Sequence, residues 1–399
     1  MRIAAIRFLG TLAHGRFRAL LLAVLVGGAA TLCAGEGAKA QESDSGIFGK
    51  EILGNEMNPS ISLILDFTAA YFSQQDRVKL GGHNPSATGM ELTGAELAAS
   101  ANVDPYFRFD MAFCFGHMHL EEFYMTTLAL PGNLLARAGL FLSKAGRINN
   151  THPHSWVMGL GTLPNMYLFG AEGLGGPGVE LSWLIPLPWF SEITAAIQNG
   201  EGGSFRTKSF SKYEPGPDDF IHPIRLVNFF DLDDDWALQV GANAVLAPST
   251  MGPEVGNRSS AYGIDIFLKY RPIGWGSTGN FFVSAALEGW FREMEVPQDV
   301  WRDAGGYADL TVGISKRWMV ALRGELWKRI EGDEPDENNR RAELGLDSQR
   351  VSAALLFLPS HFSKMRLQYT LESVESFNLN HIVLMQLEVS AGSHGAHSY

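Results

Sequence analysis

Cysteine is almost absent from this chain: Cys33 and Cys114 are the two among 399 residues. Long apolar runs are also missing after residue 40, so no α-helix long enough to cross a bilayer can be drawn there. No Pro/Ser-rich or low-complexity stretch divides the chain into separate domains. Positive charge is scarce, with 31 Lys and Arg against 43 Asp and Glu and a formal net charge of −12, which excludes nucleic acid as a partner. A nucleophile elbow of the form G-x-S-x-G does not occur. The acid-rich "FDLDDDW" (230–236) has the length of a tight turn and offers fewer ligands than a calcium site needs. Enzymatic chemistry is therefore not expected, and no cofactor is expected beyond a transient zinc contact.

What is present begins with an export leader. Arg2, Arg7, Arg16 and Arg18 precede the apolar run "ALLLAVLVGGAATLCA" (19–34), and "AKA" (38–40) closes it with a small-residue cleavage pattern. Residues 1–40 are read as a signal peptide and 41–60 as an N-terminal periplasmic segment. Cleavage near Ala40 leaves Cys114 as the one thiol, so an exported chain of this kind has no intramolecular disulfide. It also removes five basic residues and one acid, which moves the net charge from −12 to about −16.

From residue 61 onward the dominant pattern is alternation with period two. In "YFRFDMAFCF" (106–115), Phe107, Phe109, Met111, Phe113 and Phe115 fall on one side and Arg108, Asp110, Ala112 and Cys114 on the other. In "FSKMRLQYTLE" (362–372), Met365, Leu367, Tyr369 and Leu371 oppose Lys364, Arg366, Gln368 and Thr370. Such segments have the length of a tilted strand crossing a bilayer, one face bulky and apolar for lipid, the other charged for a watery interior. Aromatic residues gather at the segment ends: Tyr71, Phe72, Tyr106, Phe107, Trp189, Phe190, Trp236 and Trp318. Sixteen segments can be drawn, among them 134–147, 305–315 and 341–358. Short turns such as "VDPY" and "DLDDDW" alternate with longer polar connections. The expected fold is all-β: a closed antiparallel transmembrane barrel of about sixteen strands over 61–399, in the outer membrane, with 148–176 as a third outer loop folded inward.

Several blocks carry a resemblance. "NPSISLILD" (58–66), "LARAGLFLSKAGRINNTHPHSW" (135–156), "GAEGLGGPGVELSWLIPLP" (170–188) and "SHFSKMRLQY" (360–369) occur in that order, and "HPHSW" and "GAEGLGGPGVELSW" are the most specific. Together they resemble a family of porin-like outer-membrane proteins of Gram-negative bacteria whose members are often labelled zinc-regulated or TonB-dependent receptors. The resemblance covers most of the chain after the leader and implies a porin-type barrel with a metal-related role. It departs from that label in one respect: a receptor of that kind needs a plug domain inside a wider barrel, and residues 41–60 are too few to form one.

The expected function is passive diffusion of small solutes or ions with a preference for cations. The alternative is an uptake receptor for zinc or a metallophore. Expected partners are membrane lipid, the permeating solutes and the barrel-assembly machinery, and the pore is either a monomer or a homotrimer. The lining or constriction is assigned to His152, His154, Arg147, Glu172, Arg108, Asp110, Lys364 and Arg366. His152 and His154 flank Pro153, which fixes their separation, and ordinary imidazoles there would change charge near pH 6.5. For metal, "HMHLEE" (117–122) offers His117, His119 and Glu121 at alternate positions on one strand face, roughly 7 Å apart. The tail pair His394 and His397 is a weaker metal candidate, with Tyr399 as an aromatic carboxyl terminus.

Overall fold

The computed structural model describes residues 59–74, 81–85, 87–116, 118–199, 220–249, 257–272, 281–296, 299–332, 347–375 and 378–392. The leader, most of 41–60, His117, His394, His397 and Tyr399 lie outside the described residues.

Sixteen strands follow one another: β1 (Ser60–Phe72), β2 (Gly89–Asn102), β3 (Phe107–Cys114), β4 (His119–Thr127), β5 (Leu134–Leu142), β6 (Gly175–Leu184), β7 (Phe190–Gln198), β8 (His222–Asp231), β9 (Trp236–Pro248), β10 (Arg258–Tyr270), β11 (Phe282–Val296), β12 (Asp299–Gly313), β13 (Trp318–Glu331), β14 (Ser348–Ser360), β15 (Ser363–Val374) and β16 (Asn380–Gly392). Each pairs antiparallel with its neighbours in sequence. β1 closes the ring on β16, with partners running from Ser62 opposite Gly392 to Phe72 opposite Ile382. Closure matters physically, because in hydrocarbon an open edge would leave a row of backbone groups unpaired.

The alternation sorts faces as the sequence indicates. Ile61, Leu63, Leu65 and Phe67 of β1 point outward and are exposed, while Ser62, Asp66 and Thr68 are buried toward the interior. Leu367, Met385 and Val351 likewise form an outward apolar belt around inward Lys364, Arg366 and Arg350. At the short-turn end, Trp236 packs on Tyr270 at 4.7 Å between ring centroids and Trp318 on Phe357 at 4.6 Å. Side-chain caps fix these turns: Asp104 Oδ1 accepts from the amides of Tyr106 and Phe107, and Asp233 Oδ1 from those of Asp235 and Trp236. The acid-rich 230–236 stretch is thus a capped turn.

Three details depart from the sequence reading. Phe72 turns inward and packs with Leu160 and Ile382, because Tyr71 holds the outward position. β5 stops at Leu142, since the next residues bend into the barrel. β11 and β12 are longer than alternation alone shows, continuing to Val296 and Asp299. In that extension Trp301 and Asp303 are buried on the inner face while outward Arg302 pairs with Glu293 and Glu331. A strand polar on its outer face has no lipid signature, so it read as loop. The residues before Ser348 assigned to β14 lie outside the described set.

The connection from Ser143 to Leu174 lies against the inner wall and contains α1 (Leu163–Phe169). Thr162 caps the helix, its hydroxyl accepting from the Asn165 amide at 3.4 Å. Tyr167 stacks on Trp327 and Phe169 meets Trp290 edge-on, both within the apolar cluster that also holds Leu163, Leu168, Val245 and Ala261. The return to β6 depends on Gly173, whose φ of +77° and neighbour Asn149 Oδ1, 2.8 Å from where a Cβ would stand, exclude a side chain.

Candidate functional site

The inner wall is divided by charge. On β13, β14 and β15 the inward bases hold the backbone of the inner loop. Lys364 Nζ donates to the His154 carbonyl at 2.5 Å, and Arg366 to those of Trp156 and Val157 at 2.6 and 2.8 Å. Arg323 donates to the Leu160 carbonyl and Arg350 to that of Gly161, both at 3.0 Å. Gln368 and Glu325 complete the clamp by accepting from the amides of Gly159 and Leu163. Lys364 and Arg366 stand two residues apart on one face of β15, and Arg323 and Arg350 extend the row onto β13 and β14. Three of the four bases also have an acid beside them, Lys364 with Glu388 at 2.9 Å, Arg350 with Glu372 at 2.7 Å and Arg323 with Asp309 at 2.6 Å, while Arg366 donates to Gln386. Lys364 and Arg366, expected as free lining charges, are therefore buried anchors. Arg147 is also drawn to a wall: its guanidinium lies 3.6 Å from the centre of the Phe267 ring and its amide donates to Glu288.

Farther round the ring, past β16 and β1, β2 and β4 carry Glu96, Glu121 and Glu122. β4 contains a bulge: Ala112 pairs with Glu122 but Phe113 pairs with Leu120, so Glu121 has no partner across the ladder. Glu121 and Glu122 therefore both turn inward, with Leu120 and Phe123 outward on either side. The sequence carried this signal, since two polar residues stand between two outward apolar ones where alternation allows one.

His152 meets these carboxylates. Its Nε2 is 3.0 Å from Glu122 Oε2, and its Nδ1 is 3.1 Å from Glu121 Oε2 and 3.5 Å from Glu96 Oε2. His154 stacks on it with 5.6 Å between centroids and places Nδ1 3.6 Å from Glu96 Oε2. Pro153 and a single 3-10 turn make this pairing stiff: the Ser155 amide donates to the His152 carbonyl at 2.9 Å. The "HPHSW" stretch is both a rigid turn and the meeting point of the inner loop with the acidic wall. His83, from the β1–β2 connection, adds Nε2 at 3.1 Å from Glu121 Oε1 and 3.7 Å from Glu172 Oε2. That connection is held to the inner loop by Asn84, which donates to the Gly159 carbonyl at 2.6 Å.

Burial works against a charge on His152, but hydrogen bonds to Glu121 and Glu122 and the charges of Glu96 and Glu122 outweigh it and raise its pKa well above the ordinary value. His83 is raised for the same reason: burial opposes, and Glu121 and Glu172 prevail.

Two cavities meet at His152. One of about 390 Å³ is lined by Ser62, Glu96, Arg108, Asp110, Tyr124 and His154. The other, of about 200 Å³, is lined by His83, His119, Glu121, Trp156, Asn165 and Glu172. Arg108 and Asp110, expected in the lining, form an ion pair at 2.8 Å in the larger cavity. Glu172, also expected, stands at the smaller one. Of the metal set expected from "HMHLEE", His117 lies outside the described residues, so His119 and Glu121 alone can be placed. His119 Nε2 is 3.9 Å from Glu121 Oε1, but Glu121 keeps closer company with His83 and His152. His83 and Glu122 were not singled out from the sequence. His83 has no local signal, because a loop 69 residues upstream brings it to His152.

No family model matches the chain. An uncharacterized protein of Aquifex aeolicus is 28% identical over 344 residues, which cover 78% of this chain and 72% of that protein. Among solved structures, the outer membrane channel DcaP of Acinetobacter baumannii superposes with a TM-score of 0.57 at 9% identity, over 84% of this chain and 98% of its own. Pseudomonas putida OprB gives 0.53 at 12% identity, over 89% and 100%. An anion-selective porin from Comamonas acidovorans gives 0.52 at 8% identity, over 84% and 100%. The chain has the sixteen-stranded barrel fold of outer-membrane porins and, with its outward apolar belt, sits in the outer membrane. These likenesses carry the porin part of the family resemblance; its receptor and zinc labels find no support in them.

Proposed function

We propose that this chain is a channel for passive diffusion of small solutes and ions, that its route passes His152, and that it prefers cations. The observation that carries this reading is the asymmetry of the interior. The bases of β13–β15 are spent on loop carbonyls and neighbouring acids, whereas Glu96, Glu121 and Glu122 farther round the ring face the two cavities with histidines as their companions. Charges at the narrow part of a pore set selectivity more than the total does. A homotrimer is the assembly we favour, supported by a structural neighbour, OmpT of Vibrio cholerae, described in a trimer form.

The test is reversal-potential measurement in planar bilayers across a KCl gradient. The expected result is preferential potassium passage that falls in the Glu96→Gln variant. Chloride preference, or the absence of any conductance from correctly folded protein, would overturn the reading. Uptake that saturates and needs energy coupling would favour the metal or metallophore receptor instead.

A further inference from the structure

The His152 cluster has the layout of a metal centre. A tetrahedral zinc ion bound at about 2.0–2.2 Å by imidazole nitrogen and carboxylate oxygen places its ligand atoms roughly 3.4 Å apart. The contacts here fall in that range. His152 Nδ1 is 3.1 Å from Glu121 Oε2 and 3.5 Å from Glu96 Oε2, and Glu96 Oε2 is 3.6 Å from His154 Nδ1. The ligand atoms of Glu96, Glu121 and His152 all lie within 4.8 Å of one another. The second nitrogen of His152 is engaged separately, 3.0 Å from Glu122 Oε2. That is the arrangement by which a carboxylate fixes the ring of a metal-binding histidine and directs its other nitrogen at the ion.

Two further facts point to a ligand. The Glu121 side chain is 8% exposed and is shared: Oε1 faces His83 Nε2 at 3.1 Å, while Oε2 turns to His152 Nδ1 at 3.1 Å. Three carboxylates converge on the one His152 ring, and the remaining nitrogen ligands stand beside them, His83 at Glu121 and His154 at Glu96. The cluster also has access, because the cavities on either side of His152 give an ion a way in and out.

We infer that Glu96, Glu121, His152 and His154 form a binding site for one divalent first-row transition-metal cation of the zinc class, with Glu122 as a positioning residue. Its location in the conduction path rests on the proposed channel function; binding does not. Two imidazoles and two carboxylates suit zinc and disfavour calcium and magnesium, which take all-oxygen sites. Zinc binding there displaces protons from the histidines and places a compact divalent charge where the two cavities meet.

The test uses the full-length protein purified in detergent, stripped with chelator, and titrated with zinc chloride by calorimetry. X-ray absorption at the zinc edge reports the ligands, and heat-modifiable electrophoretic mobility checks the fold of every variant. One equivalent of zinc bound by nitrogen and oxygen ligands is expected. Affinity should fall at least 100-fold in His152→Ala and about 10- to 100-fold in the milder Glu122→Gln. It should be unchanged in His119→Ala and in the double variant His394→Ala/His397→Ala. No saturable zinc binding by folded wild type, or binding that survives His152→Ala and Glu121→Gln in folded protein, overturns the site. In bilayers, micromolar zinc should reduce wild-type conductance and leave that of His152→Ala unchanged. Zinc binding without any conductance would sink the channel reading and keep the site; conductance with no zinc binding would do the reverse.

Discussion

Leu367 is the sharpest place to test the membrane register. It lies near the middle of β15, opposite Leu355 on one side and Met385 on the other, and is 52% exposed with its neighbours in the outward belt. An Arg here must be solvated by hydrocarbon, at about 2–4 kcal/mol near the bilayer midplane. Every 1.4 kcal/mol is tenfold in an equilibrium, so Leu367→Arg should lower the ratio of folded to unfolded protein roughly 30- to 700-fold. The control places the same charge on the inner face. Ser100 lines the larger cavity and pairs across the ladder with Asp110, so Ser100→Arg meets water and a carboxylate and should change stability by less than about 1 kcal/mol. Urea unfolding in lipid vesicles, followed by heat-modifiable mobility and tryptophan fluorescence, measures both. Equal midpoints for the two variants would show that Leu367 does not face lipid, and the period-two argument for this strand would fail by one residue.

Two other expectations follow from the interior. His152 has a folded-state pKa raised above its unfolded value near 6.5, so its ion pairs stabilise the fold fully below pH 6.5 and lose that contribution as pH rises through the folded value. The channel should therefore become more cation-selective in a transition that lies on the alkaline side of pH 6.5; a transition centred near 6.5 would mean an unperturbed imidazole. Arg350 is fully buried between Glu372 at 2.7 Å and Glu325 at 3.6 Å, so Arg350→Met strands two buried acids and should cost about 3–5 kcal/mol, part of it recovered by adding Glu372→Gln. A loss under 1 kcal/mol in urea unfolding would show that these acids take up protons or water instead.

Much of the wall was legible because lipid and water impose opposite demands on adjacent residues. Phe107, Phe109 and Met111 against Arg108 and Asp110 are enough to orient β3, and the same holds for Met365 and Leu367 against Lys364 and Arg366. The reading failed where that contrast is missing. The ends of β11 and β12 carry polar side chains outward, as Arg302 does, and leave no lipid signature. At Glu121 and Glu122 the contrast persisted but its period slipped by one, which is how a bulge appears in a sequence. Alternation names a face and is silent about what lies across from it. Lys364 and Arg366 were rightly turned inward, but nothing in the pattern told that the carbonyls of His154, Trp156 and Val157 would occupy them. His83 was unreadable for a related reason, since its place depends on a contact between two connections far apart in the chain.

That same contact pattern explains how, in the proposed channel, inward bases and inward acids can be kept apart. A carbonyl carries no net charge, so a loop laid along β13–β15 leaves the bases charged but removes them from the route and buries them beside Glu388, Glu372 and Asp309. Two residues before the clamped His154 carbonyl, the same loop presents His152 to Glu96, Glu121 and Glu122. There Glu96, Glu121 and Glu122 have His83, His152 and His154 as companions, while Arg108 in the same cavity is paired with Asp110. Imidazole is the cation that can give up its proton to a change of pH or to a metal ion and still remain a ligand. Had the clamp and the histidine cluster been reversed, with arginines at the bulge and histidines under the loop, the same composition would form a fixed positive constriction. The function of this interior therefore follows from where the loop spends its carbonyls, and not from the net charge of the chain.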